Sequence, residues 1–153
     1  MSITENLEKL KINLPEAPSP VGSYVAYKKI NNLLYISGQL PIDGDGKMIK
    51  GVIGKELSIE DGKKASRLCV INILSQVKKA LDGDLARVKN CIKITGFVNS
   101  TSDFKDQPKI INAASEMLTN VFGENGKHTR AAVSSNSLPL GIAVEIDAIF
   151  EIN

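Results

Sequence analysis

Apolar and polar positions change period several times along the chain, and each change marks an element. Towards the C-terminus Ile142, Val144, Ile146, Ala148, Phe150 and Ile152 alternate with Ala143, Glu145, Asp147, Ile149 and Glu151. A period of two is that of a strand with one buried face, so Glu145 and Asp147 are expected on the face turned away from the helices. Between Ser58 and Gly83 the period is helical instead. Ala65, Leu68, Cys69, Leu74, Val77 and Leu81 form one stripe, and Lys63, Lys64, Lys78 and Lys79 fall mostly off it. Ser58 with the acids behind it reads as a helix start, and Gly83 as the stop. A second helix begins at Pro108, buries Ile111, Ala114, Met117, Leu118 and Val121, and ends at Gly123. Runs of strand formers cover Tyr24 to Ile30 and Leu33 to Gln39, joined through Asn31-Asn32 as a hairpin, with further strands at Val88 to Val98 and Thr129 to Ser135. A short third strand is expected over Lys47 to Val52. The first fourteen residues read as a short amphipathic helix capped by Thr4, followed by an extended approach set by Pro15, Pro18 and Pro20.

The order β-β-(β)-α-β-α-β-β predicts an α+β domain with both long helices on one face of the sheet. Neither a repeat nor a linker interrupts it, so residues 1–153 are expected to form a single domain, with 1–16 as a helical extension. The sheet's other face is left uncovered and carries Ala131 or Ala132, Ala143 and Ile149, which suits an oligomer surface.

Composition narrows the chemistry. Lysine and arginine number 19 against 17 acids, a net charge of +2, which offers no basic field for nucleic acid and no polybasic membrane signal. One histidine and two cysteines are too few for a cysteine-histidine zinc site, so no metal is expected. Cys69 and Cys91 fall on core positions, and thiols without an export signal suggest a reducing, cytoplasmic setting. The longest uncharged run, Ala131 to Val144, is broken by Pro139 and Gly141 and does not suit a membrane span. A serine hydrolase would need a base. His128 is the single imidazole, no GxSxG elbow accompanies it, and it reads as an ordinary surface residue. The glycines form no phosphate-binding loop, and no cofactor is expected. What remains is Arg130 in a short strand, Glu145 in what is expected to be the neighbouring strand, and Tyr24 near the hairpin. An ion pair of Arg130 with Glu145 or Asp147 is the structural alternative to a catalytic role.

Several segments together resemble the YjgF/RidA reactive-intermediate deaminase family. They are Ser19-Pro20-Val21-Gly22-Ser23-Tyr24, Leu34-Tyr35-Ile36-Ser37-Gly38-Gln39-Leu40-Pro41, Phe97-Val98, Asn112-Ala113 with Glu116, His128 to Val133, Leu138-Pro139 and Val144 to Ile149. The resemblance implies a chorismate-mutase-like fold with a mixed sheet, and a homotrimer whose sheets form a central barrel with clefts between subunits. It implies that Arg130 binds a substrate carboxylate and that Glu145 holds or activates the attacking water. Tyr24, Ser37, Gly38, Asn112 and Ala132 match further cleft positions. The implied reaction hydrolyses 2-aminoacrylate-type enamines and imines to 2-oxo acids and ammonia, without a cofactor. The alternatives are a trimeric module that binds small carboxylates without turnover, and an endoribonuclease or translation inhibitor. The chain departs from the family pattern at His128-Thr129, where Pro-Ala is frequent, and at Ala132, where cysteine is frequent. The Asp103 to Ile111 segment is also about four residues longer.

Overall fold

The computed structural model describes residues 1–153. In chain order the elements are α1 (Ile3–Lys9), β1 (Tyr27–Ile30), β2 (Leu33–Gln39), α2 (Ile59–Ala80), β3 (Val88–Asn99), α3 (Gln107–Phe122), β4 (Thr129–Ser135) and β5 (Val144–Ile152). The strands form one five-stranded sheet in the order β1-β2-β5-β3-β4. Every ladder is antiparallel except β3–β4, whose parallel pairing is made possible by the α3 crossover. This is the mixed sheet of an α+β fold, as expected.

The alternation in β5 explains its central place. Val144, Ile146, Ala148, Phe150 and Ile152 are all buried, and they meet Leu34 and Ile36 of β2, Ile94 and Val98 of β3, and the apolar faces of α2 and α3. The face of α2 holds Ala65, Cys69, Val70, Ile73, Leu74 and Val77, and that of α3 holds Ile110, Ile111, Ala114, Leu118 and Val121. Gly96 lets α3 lie directly on β3, because a Cβ at that position would run into the Ile111 side chain. Both cysteines are buried, and desolvation pushes the Cys91 thiol up to about 12 and the Cys69 thiol well above its ordinary value. They are core residues, in line with the sequence.

Six local expectations are corrected. The first helix is capped by Ser2, not Thr4: the Ser2 hydroxyl accepts from Glu5 N while the Glu5 carboxylate accepts from Ser2 N at 2.7 Å. That helix ends at Lys9, and Lys11 turns with φ 55°, so Ile12 and Leu14 reach the core from extended chain. Residues 47–52 make only isolated bridges, Met48 to Ile42 and Lys50 to Ile142, because Gly51 bends the chain at φ 133°. The first strand begins at Tyr27 rather than Tyr24, and the last at Val144 rather than Ile142. Ala143 is buried, where it donates to Ile49 O, and so does not belong to the open face.

The open face carries Thr95 and Phe97 of β3, Glu145, Asp147 and Ile149 of β5, Ala131 and Val133 of β4, and Tyr35 of β2. Tyr35 and Val133 are exposed, so this face presents apolar groups to solvent in the isolated chain. Among the helices, none is long and apolar enough to cross a membrane.

Candidate functional site

Glu145 is positioned by an irregularity in the β2–β5 ladder. Ile36 pairs with Ala148 and Gln39 with Ile146, so Ser37 and Gly38 together oppose Asp147 alone. Such a bulge re-aims the side chains beside it. Glu145 lies directly over Gly38, where a Cβ would stand 2.6 Å from its Oε2 and 2.9 Å from its Cδ. Only a glycine leaves room for the carboxylate. Burial, and after it the negative charge of Asp147, pushes the Glu145 carboxyl above its ordinary 4.5. The carboxylate faces a cleft of ≈ 360 Å³ lined by Val21, Tyr24, Gly38, Leu40, Pro139 and Leu140.

Two other expected residues organise the rim of that cleft. Tyr24 is half exposed, and its phenol oxygen accepts from Val21 N at 3.3 Å, which closes the segment on itself. The Ser37 hydroxyl donates to Val25 O at 2.7 Å, tying this rim to the bulge. Ser37 therefore holds the Tyr24 segment in place through a bond of its own.

Arg130 stands elsewhere. It opposes Ile94 in the parallel ladder, and Ile94 is fully buried beneath the helices, so Arg130 projects on the helix side of the sheet edge. There it meets one face of α3, where Pro108, Asn112 and Ser115 recur at helical spacing. Nη2 donates to Asn112 Oδ1 at 2.8 Å and to Pro108 O at 3.4 Å, and Nη1 donates to Ser115 Oγ at 3.0 Å. All three acceptors are neutral. No carboxylate lies within ion-pair distance of Arg130. Asn112, expected at the site, thus touches Arg130 itself, and Ala132 follows two residues on along the same face of β4, paired with Gly96.

The expected neighbourhood of Arg130 and Glu145 is corrected by the sheet order. β3 lies between β4 and β5. Arg130 aligns through Ile94 with Ala148, three residues beyond Glu145. That separation is about 10 Å along the strand and a further ~9.5 Å across two ladders. The two side chains also leave opposite faces of the sheet. Within one chain they neither pair nor reach a common small molecule, so the structural ion pair is excluded. The sheet holds them apart because β3 pairs with β4 along one edge and with β5 along the other.

Two residues assigned no part in the site from sequence, Ser115 and His128, join the arginine. Ser115 Oγ lies 2.8 Å from His128 Nε2, and His128 Nδ1 lies 2.6 Å from Gly126 O. His128 is half-buried and engaged at both nitrogens, not the free surface residue expected from sequence. Ser115 was legible in principle, since it stands one helical step beyond Asn112 on the same face. The extended Asp103 to Ile111 segment also contributes here: it supplies the Pro108 carbonyl, and its Gln107 donates to Ser134 Oγ at 2.8 Å beside β4.

Comparison with known proteins agrees with this architecture. The family model described as "YjgF/chorismate mutase-like, putative endoribonuclease" matches residues 5–150. The chain is 42% identical over 152 residues to Protein TCP17 of Trypanosoma cruzi, an alignment covering 99% of this chain and 94% of that one. It is 43% identical to the crystal structure of protein Atu1372 from Agrobacterium tumefaciens, with a TM-score of 0.91 over 99% of this chain and 94% of the other. The crystal structure of RidA from an Antarctic Psychrobacter is 28% identical, with a TM-score of 0.61 over 92% of this chain and 98% of that one.

Proposed function

Because this chain belongs to the YjgF/chorismate mutase-like family, we propose that it hydrolyses reactive 2-enamine and 2-imine acids to 2-oxo acids and ammonia, at clefts shared between the subunits of a homotrimer. One observation carries the reading: Arg130 is held by three neutral acceptors and has no acid beside it. A positioned guanidinium without a counter-ion is suited to a carboxylate ligand, which it binds with charge-assisted hydrogen bonds.

The chemistry asks little more. A 2-imino acid is already electrophilic at C2. Water adds there, the tetrahedral carbon expels ammonia, and the 2-oxo acid remains. An enamine enters the same path once a proton is delivered to C3. Glu145, with its carboxyl raised by burial and Asp147, is suited to take the proton from water and return it to the leaving nitrogen. Tyr24 at the cleft rim is suited to closing over the ligand. The exposed apolar groups of the open sheet face, Tyr35 and Val133 among them, favour burial against further copies of the chain. The opposed placement of Arg130 and Glu145 supports a site assembled from two copies.

Added to a serine or threonine dehydratase reaction with a trapping assay, the protein is expected to speed 2-oxo acid release, and Arg130→Ala to remove that effect. No acceleration by the wild type, or the same acceleration by Arg130→Ala, sinks the reading. Binding of 2-oxobutanoate without turnover would make the protein a carboxylate-binding module instead.

Gly38→Ala tests the seating of the carboxylate. Its Cβ would meet Glu145 at 2.6–2.9 Å, so the acid must swing away from the water it serves. Misplacement on the ångström scale can cost up to about 10²-fold in rate. A kcat lowered between about tenfold and 10²-fold, with the melting curve near wild type, is expected. Unchanged kcat would show that Glu145 is not the proton carrier.

A further inference from the structure

The hydrogen bonds behind Arg130 run in one direction. Gly126 O can only accept, so His128 Nδ1 carries a proton. In the neutral ring Nε2 is then an acceptor, and the Ser115 hydroxyl must donate to it across 2.8 Å. With its proton committed, Ser115 Oγ is left as an acceptor, which is what Arg130 Nη1 requires at 3.0 Å. Nothing in the chain Arg130 → Ser115 → His128 → Gly126 is free to reverse while the ring stays neutral.

The bookkeeping of the guanidinium shows what this alignment does. Asn112 takes one Nη2 proton, and only the 3.4 Å contact to Pro108 O engages the other. Nε–H has no acceptor within the protein. The edge formed by Nε and Nη2 is therefore the edge available to a carboxylate, provided the rest of the fork stays clamped on α3. Two long-lever contacts, Ser115 and Asn112, define the plane of the group. Without Ser115 the fork is free to turn about its last torsions, and the cost of fixing it falls on ligand binding.

We propose that Ser115 and His128 are positioning residues for substrate. They form a relay, anchored on the Gly126 carbonyl, that fixes the tautomer of His128 and through Ser115 presents the Nε–Nη2 edge of Arg130 to the substrate carboxylate. This rests on the reading of Arg130 as the carboxylate clamp. The relay acts on binding and not on proton transfer at Glu145, so it should move KM while leaving kcat nearly unchanged.

His128 is the single histidine in the chain, so its ring is assignable without ambiguity. In histidine-15N-labelled protein, long-range 1H–15N spectra are expected to show protonated Nδ1 and bare Nε2, and a shift of Nε2 on adding 2-oxobutanoate. Calorimetric titration with 2-oxobutanoate is expected to give a Kd about tenfold weaker for Ser115→Ala and His128→Phe, the size of one lost hydrogen bond to a charged group. Ser115→Thr and His128→Gln keep a hydroxyl and an acceptor in place, and are expected to recover most of the affinity. The proposal is overturned by an Nε2–H tautomer in the wild type, or by equal losses in the conservative and disruptive variants. Wild-type affinity in Ser115→Ala with loss in Arg130→Ala would also overturn it, while leaving the carboxylate clamp standing. Wild-type affinity in Arg130→Ala would remove the clamp itself.

Discussion

Arg130→Ala and Glu145→Gln chains, each inactive alone, are expected to regain about a quarter of wild-type activity when unfolded together in equal amounts and reassembled. Arg130 leaves the helix side of the sheet at β4, and Glu145 leaves the open side at β5, with β3 between them. A substrate with its carboxylate on one and its C2 beside the other must lie between two chains. In a cyclic trimer each cleft draws the arginine from one subunit and the acid from the next. Random mixing places an intact arginine with an intact acid at about one cleft in four. The recovery is a gain of activity from two dead parents, so loss of stability in either variant cannot imitate it. Hybrid assembly is checked by mass, using a tag on one chain. Hybrids that form and remain inactive would show that no site is shared.

Glu145→Gln is expected to lower kcat by about 10²–10⁴-fold, the usual worth of a positioned acid–base group. Its pH dependence gives a second check. Burial and Asp147 raise the folded-state carboxyl above its ordinary 4.5, and the ionised form is the one that accepts the water's proton. Activity should fall as pH drops through the raised value, earlier than an ordinary glutamate would allow. Stability carries the opposite sign. Between 4.5 and the raised value the folded state binds more protons than the unfolded one, so stability falls as pH rises through that window. Ionised Glu145 is therefore a cost at neutral pH. Glu145→Gln should melt above wild type at pH 7, and that advantage should vanish as pH falls through the raised value toward 4.5. An acid limb that persists unchanged in Asp147→Asn, which removes the neighbouring charge, would show that burial alone sets it. A limb at the ordinary glutamate position would remove Glu145 as the base.

The stability cost and the proposed catalytic use of Glu145 have one structural source. The bulge at Ser37-Gly38 brings a backbone without Cβ beneath the carboxylate, and the cleft behind it holds few groups that solvate charge. A more exposed acid would titrate normally and be a poorer proton carrier near neutrality.

Much of the framework was legible before folding was considered. The alternation in β5, the stripes of α2 and α3, the Ser58 cap and the bounds of β2 and β4 all depend on neighbours within a few residues. Period, capping and turn chemistry act at that range. Where competition was local but finely balanced, reading failed. Ser2 outcompeted Thr4 because Glu5 closes a reciprocal pair, and Gly51 broke a run of strand formers into bridges.

The site divides along the same line. Sequence alone singled out Arg130 and Glu145 as the candidates for the chemistry, in a small, nearly neutral chain with few others to offer. Tertiary structure alone decided how they stand. Strand order placed β3 between them and sent their side chains to opposite faces, which is why the proposed site needs two copies of the chain. It also brought Ser115 and His128, thirteen residues apart, within 2.8 Å and made a surface histidine part of the arginine's support. Local order follows from the torsions and hydrogen bonds of adjacent residues. Strand order and face depend on which distant segments bury their apolar sides together, and no local pattern records that choice.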